Sequence, residues 1–206
     1  MRLRIGVALA VVVIAVAALL AGPLSRGDRL SDIVTGRTPL LAGATRASGG
    51  SADLSGTAAL GTDQRPVTLH VACDPGGAGL SAALIVPRFA ELAPRFDFAG
   101  LEGGSTAPLT GILVSSAGSV RSVRMPVQGA AAGADAGFTL TVAGAHRGED
   151  PLRGVALALT QPGTKLTWTQ ASPRSDDPAL TATVTVAEAD AATLKGALAG
   201  CLAAPF

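Results

Sequence analysis

The chain has 206 residues, and its 16 Lys and Arg against 15 Asp and Glu leave a formal net charge of +1. This near-neutral balance excludes the basic footprint of a nucleic-acid binder, so we expect no nucleic-acid partner. Aromatic residues make up only 3% of the chain, too few for a surface built on stacked rings, whereas 26 Gly and 13 Pro are typical of short strands and frequent turns.

The first element in chain order is an apolar run without charges over residues 5–24. At about 1.5 Å per residue, a helix of this length spans roughly 30 Å, which is enough to cross a bilayer. Arg2 and Arg4 precede the run as in a signal sequence, so it either stays as an anchor or is removed by cleavage. Small residues with the spacing of a cleavage site lie inside the run rather than after it, which favours an uncleaved signal anchor over residues 1–24.

The orientation of this anchor does not follow from charge alone, because Arg26, Arg29 and Arg37 lie just after the span. The short tail ahead of the run favours a cytosolic N-terminus. We therefore predict a single-pass inner-membrane protein that contacts the lipid bilayer through residues 5–24 and holds its C-terminal domain in the periplasm. Secretion after signal cleavage is the alternative.

Residues 25–65 lack strong periodicity and are rich in Gly, Ser, Thr and Ala. This composition is typical of a flexible linker, so we predict a tether between the anchor and an exported domain at residues 66–206. Residues 52–60 alternate weakly between apolar and polar positions, which leaves open an added edge strand there.

Period-two alternation dominates the exported domain. Every second residue from Val67 to Cys73 is apolar, and a similar run over 80–86 follows the turn at 74–77, as in a β-hairpin. Further strands are predicted at residues 109–115, 120–127, 138–142, 155–159, 166–168 and 180–186. The pattern predicts an all-β fold, a mainly antiparallel β-sandwich or partly open barrel.

The last segment changes its period and predicts a C-terminal α-helix. Leu194, Leu198, Cys201 and Leu202 recur at the spacing of one helix face, and Asp190 is a candidate N-cap. The apolar face of this helix must be buried against the sheet.

Cys73 and Cys201 are the only cysteines, and they lack the paired spacing of a zinc site. One lies on the apolar face of a predicted strand and the other on the apolar stripe of the predicted helix. An even number of cysteines in an exported domain predicts a disulfide between them. Two buried free thiols are the alternative.

The two histidines offer little support for catalysis. His70 falls one position off the core register of its strand, so we interpret it as facing solvent, and His146 lies in a polar loop. The chain contains no nucleophile elbow, Walker loop or zinc-protease motif. We therefore expect a protein that is not an enzyme, with an unidentified serine hydrolase as an alternative.

Two acidic pairs, Glu149 with Asp150 and Asp176 with Asp177, lie next to prolines in predicted loops. Adjacent carboxylates in turns are usually solvated and do not flank a substrate as glycosidase acids do. We expect no metal and no cofactor, while calcium binding by one of these loops stays open.

Residues 87–104 carry three of the five Phe together with several charges. Because aromatic and Arg side chains are enriched at binding hot spots, Phe89, Arg95, Phe96 and Phe98 are candidate partner-binding residues. The alternative is that the rings close one end of the core. Trp168 falls on the inward register of its strand, and it is either core or a further contact residue.

Residues 115–119, Ser-Ser-Ala-Gly-Ser, resemble the serine–glycine loop of periplasmic lysozyme inhibitors, which are small disulfide-bearing β-barrels. The resemblance covers five residues only, and the companion tryptophan motif of that family lies much too far downstream here. It implies a secreted enzyme inhibitor or small-ligand binder as an alternative function.

The overall plan of anchor, tether and exported β-domain is similar to accessory subunits of envelope secretion machines. From this plan we expect a non-enzymatic binding or accessory subunit, whose partner is another envelope protein.

Overall fold

The computed structural model describes residues 49–103, 108–132, 137–144 and 150–203. These residues form nine strands, β1 Gly50–Leu60, β2 Asp63–Asp74, β3 Gly79–Val86, β4 Leu109–Ser116, β5 Ser119–Pro126, β6 Gln128–Ala131, β7 Phe138–Ala143, β8 Lys165–Gln170 and β9 Leu180–Thr185. They also form two helices, α1 Pro151–Leu159 and α2 Glu188–Ala203, and 3-10 turns at Phe89–Glu91 and Ala99–Leu101. The predicted transmembrane helix at residues 5–24 lies outside them, and no described helix is long and apolar enough to cross a bilayer.

All nine strands belong to one antiparallel sheet in the order β5-β4-β8-β9-β1-β2-β3-β7-β6. The edge strands β5 and β6 are separated in the chain by Val127 alone. The sheet therefore curls into a half-barrel whose two edges approach each other at this buried residue. A partly open, mainly antiparallel barrel with a C-terminal helix is supported, and the alternative of a two-sheet sandwich is wrong.

Alternating burial along the strands gives the sheet an apolar inner face and a polar outer face. The hairpin predicted between residues 67 and 86 is confirmed by the pairing of β2 with β3. In the turn between them, the Asp74 side chain accepts hydrogen bonds from the Gly76 and Ala78 amides. The β4–β5 hairpin turns at Ala117 and Gly118, which both have positive φ, as a two-residue type I′ turn requires.

Both helices pack on the inner face of the sheet. Helix α2 contacts β1, β2 and β3, whereas α1 contacts β3, β4, β5 and α2. The predicted C-terminal helix is thus confirmed, with Leu194 and Leu198 fully buried. Asp190 is not the N-cap, because the helix begins two residues earlier. Its carboxylate instead reaches back to accept a hydrogen bond from the Ala187 amide, 3.4 Å away.

Strand β1 corrects the predicted tether boundary at residue 65. Residues 50–60 form a central strand between β9 and β2 rather than an edge strand or a linker. Small residues are needed here because neighbouring elements come very close: a Cβ on Gly50 would lie 2.9 Å from the Ala197 Cα of α2. The same small residues gave the segment the composition of a flexible linker.

The strand predicted at residues 155–159 is also wrong, because this segment is the second half of α1. Asp150 caps the helix by accepting a hydrogen bond from the Leu152 amide at 2.9 Å, and Pro151 occupies its first turn. The buried side chains recur at helical spacing, namely Leu152, Val155, Ala156 and Leu159. The local sequence Val-Ala-Leu-Ala-Leu is apolar at every position, so it does not distinguish the two periods.

We predict that Gly50→Ala destabilises the domain by about 1–3 kcal/mol, because the added methyl group pushes α2 away from the sheet. Gly196→Ala is the matched control, since nothing lies within 4 Å of a Cβ at this exposed helix position. It should stabilise the protein by up to about 1 kcal/mol through helix propensity. Urea unfolding followed by Trp168 fluorescence measures both, and equal stability of the two variants would contradict the close approach.

Candidate functional site

The aromatic candidates cluster in the interior. Phe96 and Phe98 are buried, with ring centroids 4.7 Å apart, and Phe98 lies 4.9 Å from Phe138. Phe89 is half-buried and packs on Phe98 and Phe138 at 5.4 and 5.3 Å. These rings close one end of the core, and they do not form an exposed docking surface.

Trp168 is also core. It lies on β8 with no exposed surface, and the void that it lines together with Ile112, Leu159 and Leu166 is only about 10 Å³. Such a void holds at most a single water molecule. Trp168 is therefore not available as a ligand contact in this conformation.

Arg95 is the one charged candidate, and its side chain is 45% exposed. It forms an ion pair with Asp63 at the start of β2. Beside it, Arg65 donates a hydrogen bond to the Arg88 carbonyl at 3.0 Å and lies 3.5 Å from Glu91. Of the five predicted partner-binding residues, only Arg95 and part of Phe89 reach the surface. We call Arg95 and the ion-paired residues around it, namely Asp63, Arg65, Arg88 and Glu91, the charged rim.

Polar contacts hold residues 93–97 against the loop between β8 and β9. The Ser172 hydroxyl accepts a hydrogen bond from the Asp97 amide at 3.1 Å and donates one to Asp177 at 2.7 Å. Arg174 donates to Asp177 at 2.7 Å and to the Ala93 carbonyl at 3.3 Å. The pKa of Asp177 is lowered, chiefly by the Ser172 hydroxyl, with partial desolvation opposing and Arg174 adding to the effect.

The two acidic pairs fall in different environments. Asp150 caps α1 and Asp177 is held by Ser172 and Arg174, whereas Glu149 and His146 lie outside the described residues. Within the described ranges, no three His, Cys, Asp or Glu side chains come together as metal ligands would.

His70 faces outward from the sheet, as its register predicts. Its Nδ1 lies 2.6 Å from the Asp53 carboxylate, directly across the β1–β2 pair. No hydroxyl group of the described residues bonds to the other ring nitrogen. The pair thus supplies a carboxylate-oriented imidazole but not the serine that a hydrolase mechanism needs. Sequence reasoning missed Asp53 because its strand was interpreted as tether.

The two cysteines meet at the inner face. Cys73 and Cys201 form a disulfide, and their Cα atoms are 5.8 Å apart, within the usual range for such a bond. The pair joins β2 to α2 across 128 positions of sequence. Agreement between the strand and helix periodicities was the signal that predicted it.

The outer face of β4, β5 and β8 carries a shallow groove of about 320 Å³, lined by Leu109, Leu113 and Arg124 among others. We call the outward residues Leu109, Leu113, Val120, Arg124 and Lys165 the amphipathic patch. Sequence reasoning missed it because β4 is apolar on both faces, so alternation does not tell which leucines are buried.

A separate cleft of about 390 Å³ lies where β5 passes into β6, lined by Pro108, Val127, Gln128 and Thr141 among others. No charged side chain lines it among the described residues.

Comparisons with known proteins give no further indication of function, because no family model, curated protein or solved structure matches this chain.

We predict that Cys73→Ala and Cys201→Ala each destabilise the domain by roughly 2–5 kcal/mol, and that the double variant is no worse than either single variant. The reason is that either substitution alone removes the covalent link. Denaturant unfolding with and without reductant measures this effect. Additive losses in the double variant would instead indicate two independent packing roles.

We predict that Ser172→Ala raises the pKa of Asp177 toward its ordinary value near 3.8, because the hydroxyl hydrogen bond is the largest cause of the lowering. A lowered folded-state pKa stabilises the fold above the ordinary value, and this stabilisation disappears as the pH falls through the lowered pKa. An NMR titration of the Asp177 carboxyl measures the shift. An unchanged pKa in the variant would refute the assigned cause.

Proposed function

We propose that this protein is a membrane-anchored, extracytoplasmic β-domain that acts as a non-enzymatic binding or accessory subunit of an envelope assembly. In this proposal, residues 5–24 span the inner membrane and the described domain is held in the periplasm. The length and lack of charge of residues 5–24 support the anchor.

The observation that carries the proposal is the pairing of Cys73 with Cys201. Disulfides form and persist in oxidising compartments and are rare in the cytosol. A cysteine pair that joins the last helix to a central strand therefore supports export of the whole domain. Together with the apolar N-terminal run, this cysteine pair favours a protein that is anchored in the membrane and carries its folded domain on the extracytoplasmic side.

A binding role is supported by the charged rim beside Arg95. Arg88 and Glu91 are exposed there, and Arg174 of the β8–β9 loop donates a hydrogen bond to the Ala93 carbonyl in the loop that carries them. A rigid, charged rim suits a polar contact with another envelope protein. Anchoring both partners in one membrane raises their effective concentration, so even a weak contact is sufficient.

The second candidate function is a secreted small-ligand binder, released by signal cleavage. The cleft between β5 and β6 favours it, because a volume of about 390 Å³ falls within the range of small-molecule sites. The two candidates differ in whether residues 5–24 remain on the mature protein.

We predict that the full chain stays in the membrane fraction after carbonate extraction and keeps its original N-terminus. Fractionation followed by mass spectrometry of the N-terminal peptide measures both properties, with a soluble periplasmic protein as the control. A shortened, soluble protein would contradict the anchor and support the secreted binder.

For the accessory role, crosslinking in intact cells should capture one recurrent envelope protein. Arg95→Glu should lower the yield of this crosslink, because it reverses a charge of the rim, whereas Lys195→Glu on the distant face of α2 should not. Equal yields from both variants would exclude the rim as the contact.

A further inference from the structure

We propose that the amphipathic patch docks the domain onto an anionic bilayer surface. This inference rests on the proposed function, because a tethered domain meets the membrane continuously. It adds a second, peripheral membrane contact on the folded domain itself, separate from the span at residues 5–24.

The first support is the apolar part of the patch. Leu109, Leu113 and Val120 are 57%, 42% and 67% exposed, and they are three of the four exposed large hydrophobic side chains of the described residues. Leu113 faces Ser122 and Val120 faces Ser115 in the β4–β5 register, so the two apolar side chains are diagonal neighbours. Leu109 follows on the same face of β4, roughly 13 Å from Leu113.

The second support is the charge around these side chains. Arg124 lies opposite Gly111, between the two leucines, and Lys165 lies opposite Ser115, just beyond Leu113, so both cations border the apolar side chains. Neither cation forms an ion pair or hydrogen bond with any described residue. Strands β4, β5, β8 and β9 contain no Asp or Glu.

The closest acids in sequence to these strands are Asp177, in the loop between β8 and β9, and Glu188, the first residue of α2. Asp177 is already engaged by Arg174 and Ser172, so it neutralises neither cation of the patch.

The chemistry of the patch fits a bilayer interface. Aliphatic side chains enter the boundary between headgroups and acyl chains, while Arg and Lys remain level with the lipid phosphates. A protein partner usually finds aromatic anchors at the centre of its contact, and the patch contains none. Two cations that pair with no described residue are complementary to an anionic surface, so the bilayer is the occupant that the patch favours.

The test uses the full chain reconstituted in nanodiscs whose lipids carry brominated acyl chains, which quench tryptophan on contact. Val120→Trp reports on the patch, and Leu157→Trp on α1 is the matched control, because Leu157 is a 50% exposed aliphatic residue outside the patch. The buried Trp168 is common to both variants. Discs of phosphatidylcholine alone are compared with discs that also contain phosphatidylglycerol.

In the anionic discs, we expect at least about twofold stronger quenching in Val120→Trp than in Leu157→Trp. This difference should be absent in discs of phosphatidylcholine alone and should disappear at high salt. Adding Arg124→Gln to Val120→Trp should weaken docking roughly fivefold, as should adding Lys165→Gln. Adding Lys195→Gln, on α2, should leave quenching unchanged.

Equal quenching of the two reporter variants in anionic discs would overturn the docking. A protein partner or a second copy on the patch would give the same result, because either would keep the reporter away from lipid. Carbonate extraction of the same samples tests the anchor separately. If the chain resists extraction but the reporter tryptophan is not quenched, docking is disproved and the anchor stands. If the chain is extracted but the reporter tryptophan is quenched, the anchor is disproved and docking stands.

Discussion

The link between Cys73 and Cys201 is the constraint on which the closed core depends. Helix α2 is the last described element, and only Ala191, Leu194 and Leu198 of it are fully buried. Three buried side chains alone are too few to prevent a terminal helix from fraying. This helix nevertheless covers β1, β2 and β3. A covalent bond near its C-terminal end keeps it in place, so the stability of the inner face is tied to the redox state of its surroundings.

The curl of the sheet explains how one layer of strands encloses a core. Because β5 continues into β6 through Val127, the edges of the sheet are brought together and the inner face becomes concave. The two helices and the ring cluster around Phe98 fill this concavity, and the void beside Trp168 is only about 10 Å³. The amphipathic patch lies on the opposite, outer face of the sheet.

Most strands and the terminal helix could be predicted from the sequence, because their alternation or helical spacing is clear and turn residues separate them. Residues 52–60 and 155–159 could not, because weak alternation allowed no more than an edge strand in the first segment and a strand was expected in the second. The first is a strand made of small residues that close packing requires, and the second is a helix whose apolar residues fit either period. Partner-binding residues were harder to predict than strands and helices. Phe96 and Phe98 are residues of a type enriched at binding sites, but only tertiary packing decides whether such rings are exposed. The hydrogen bond between Asp53 and His70 likewise depends on a strand register that sequence alone leaves open.

The account as a whole depends on the domain lying in an oxidising space outside the cytoplasm. The most direct test is the thiol state of the full chain taken from cells by rapid acid quenching, then unfolded and treated with a maleimide reagent. We expect no adducts without reductant and an adduct on each of Cys73 and Cys201 after reduction. Adducts on both cysteines without reductant would contradict the account.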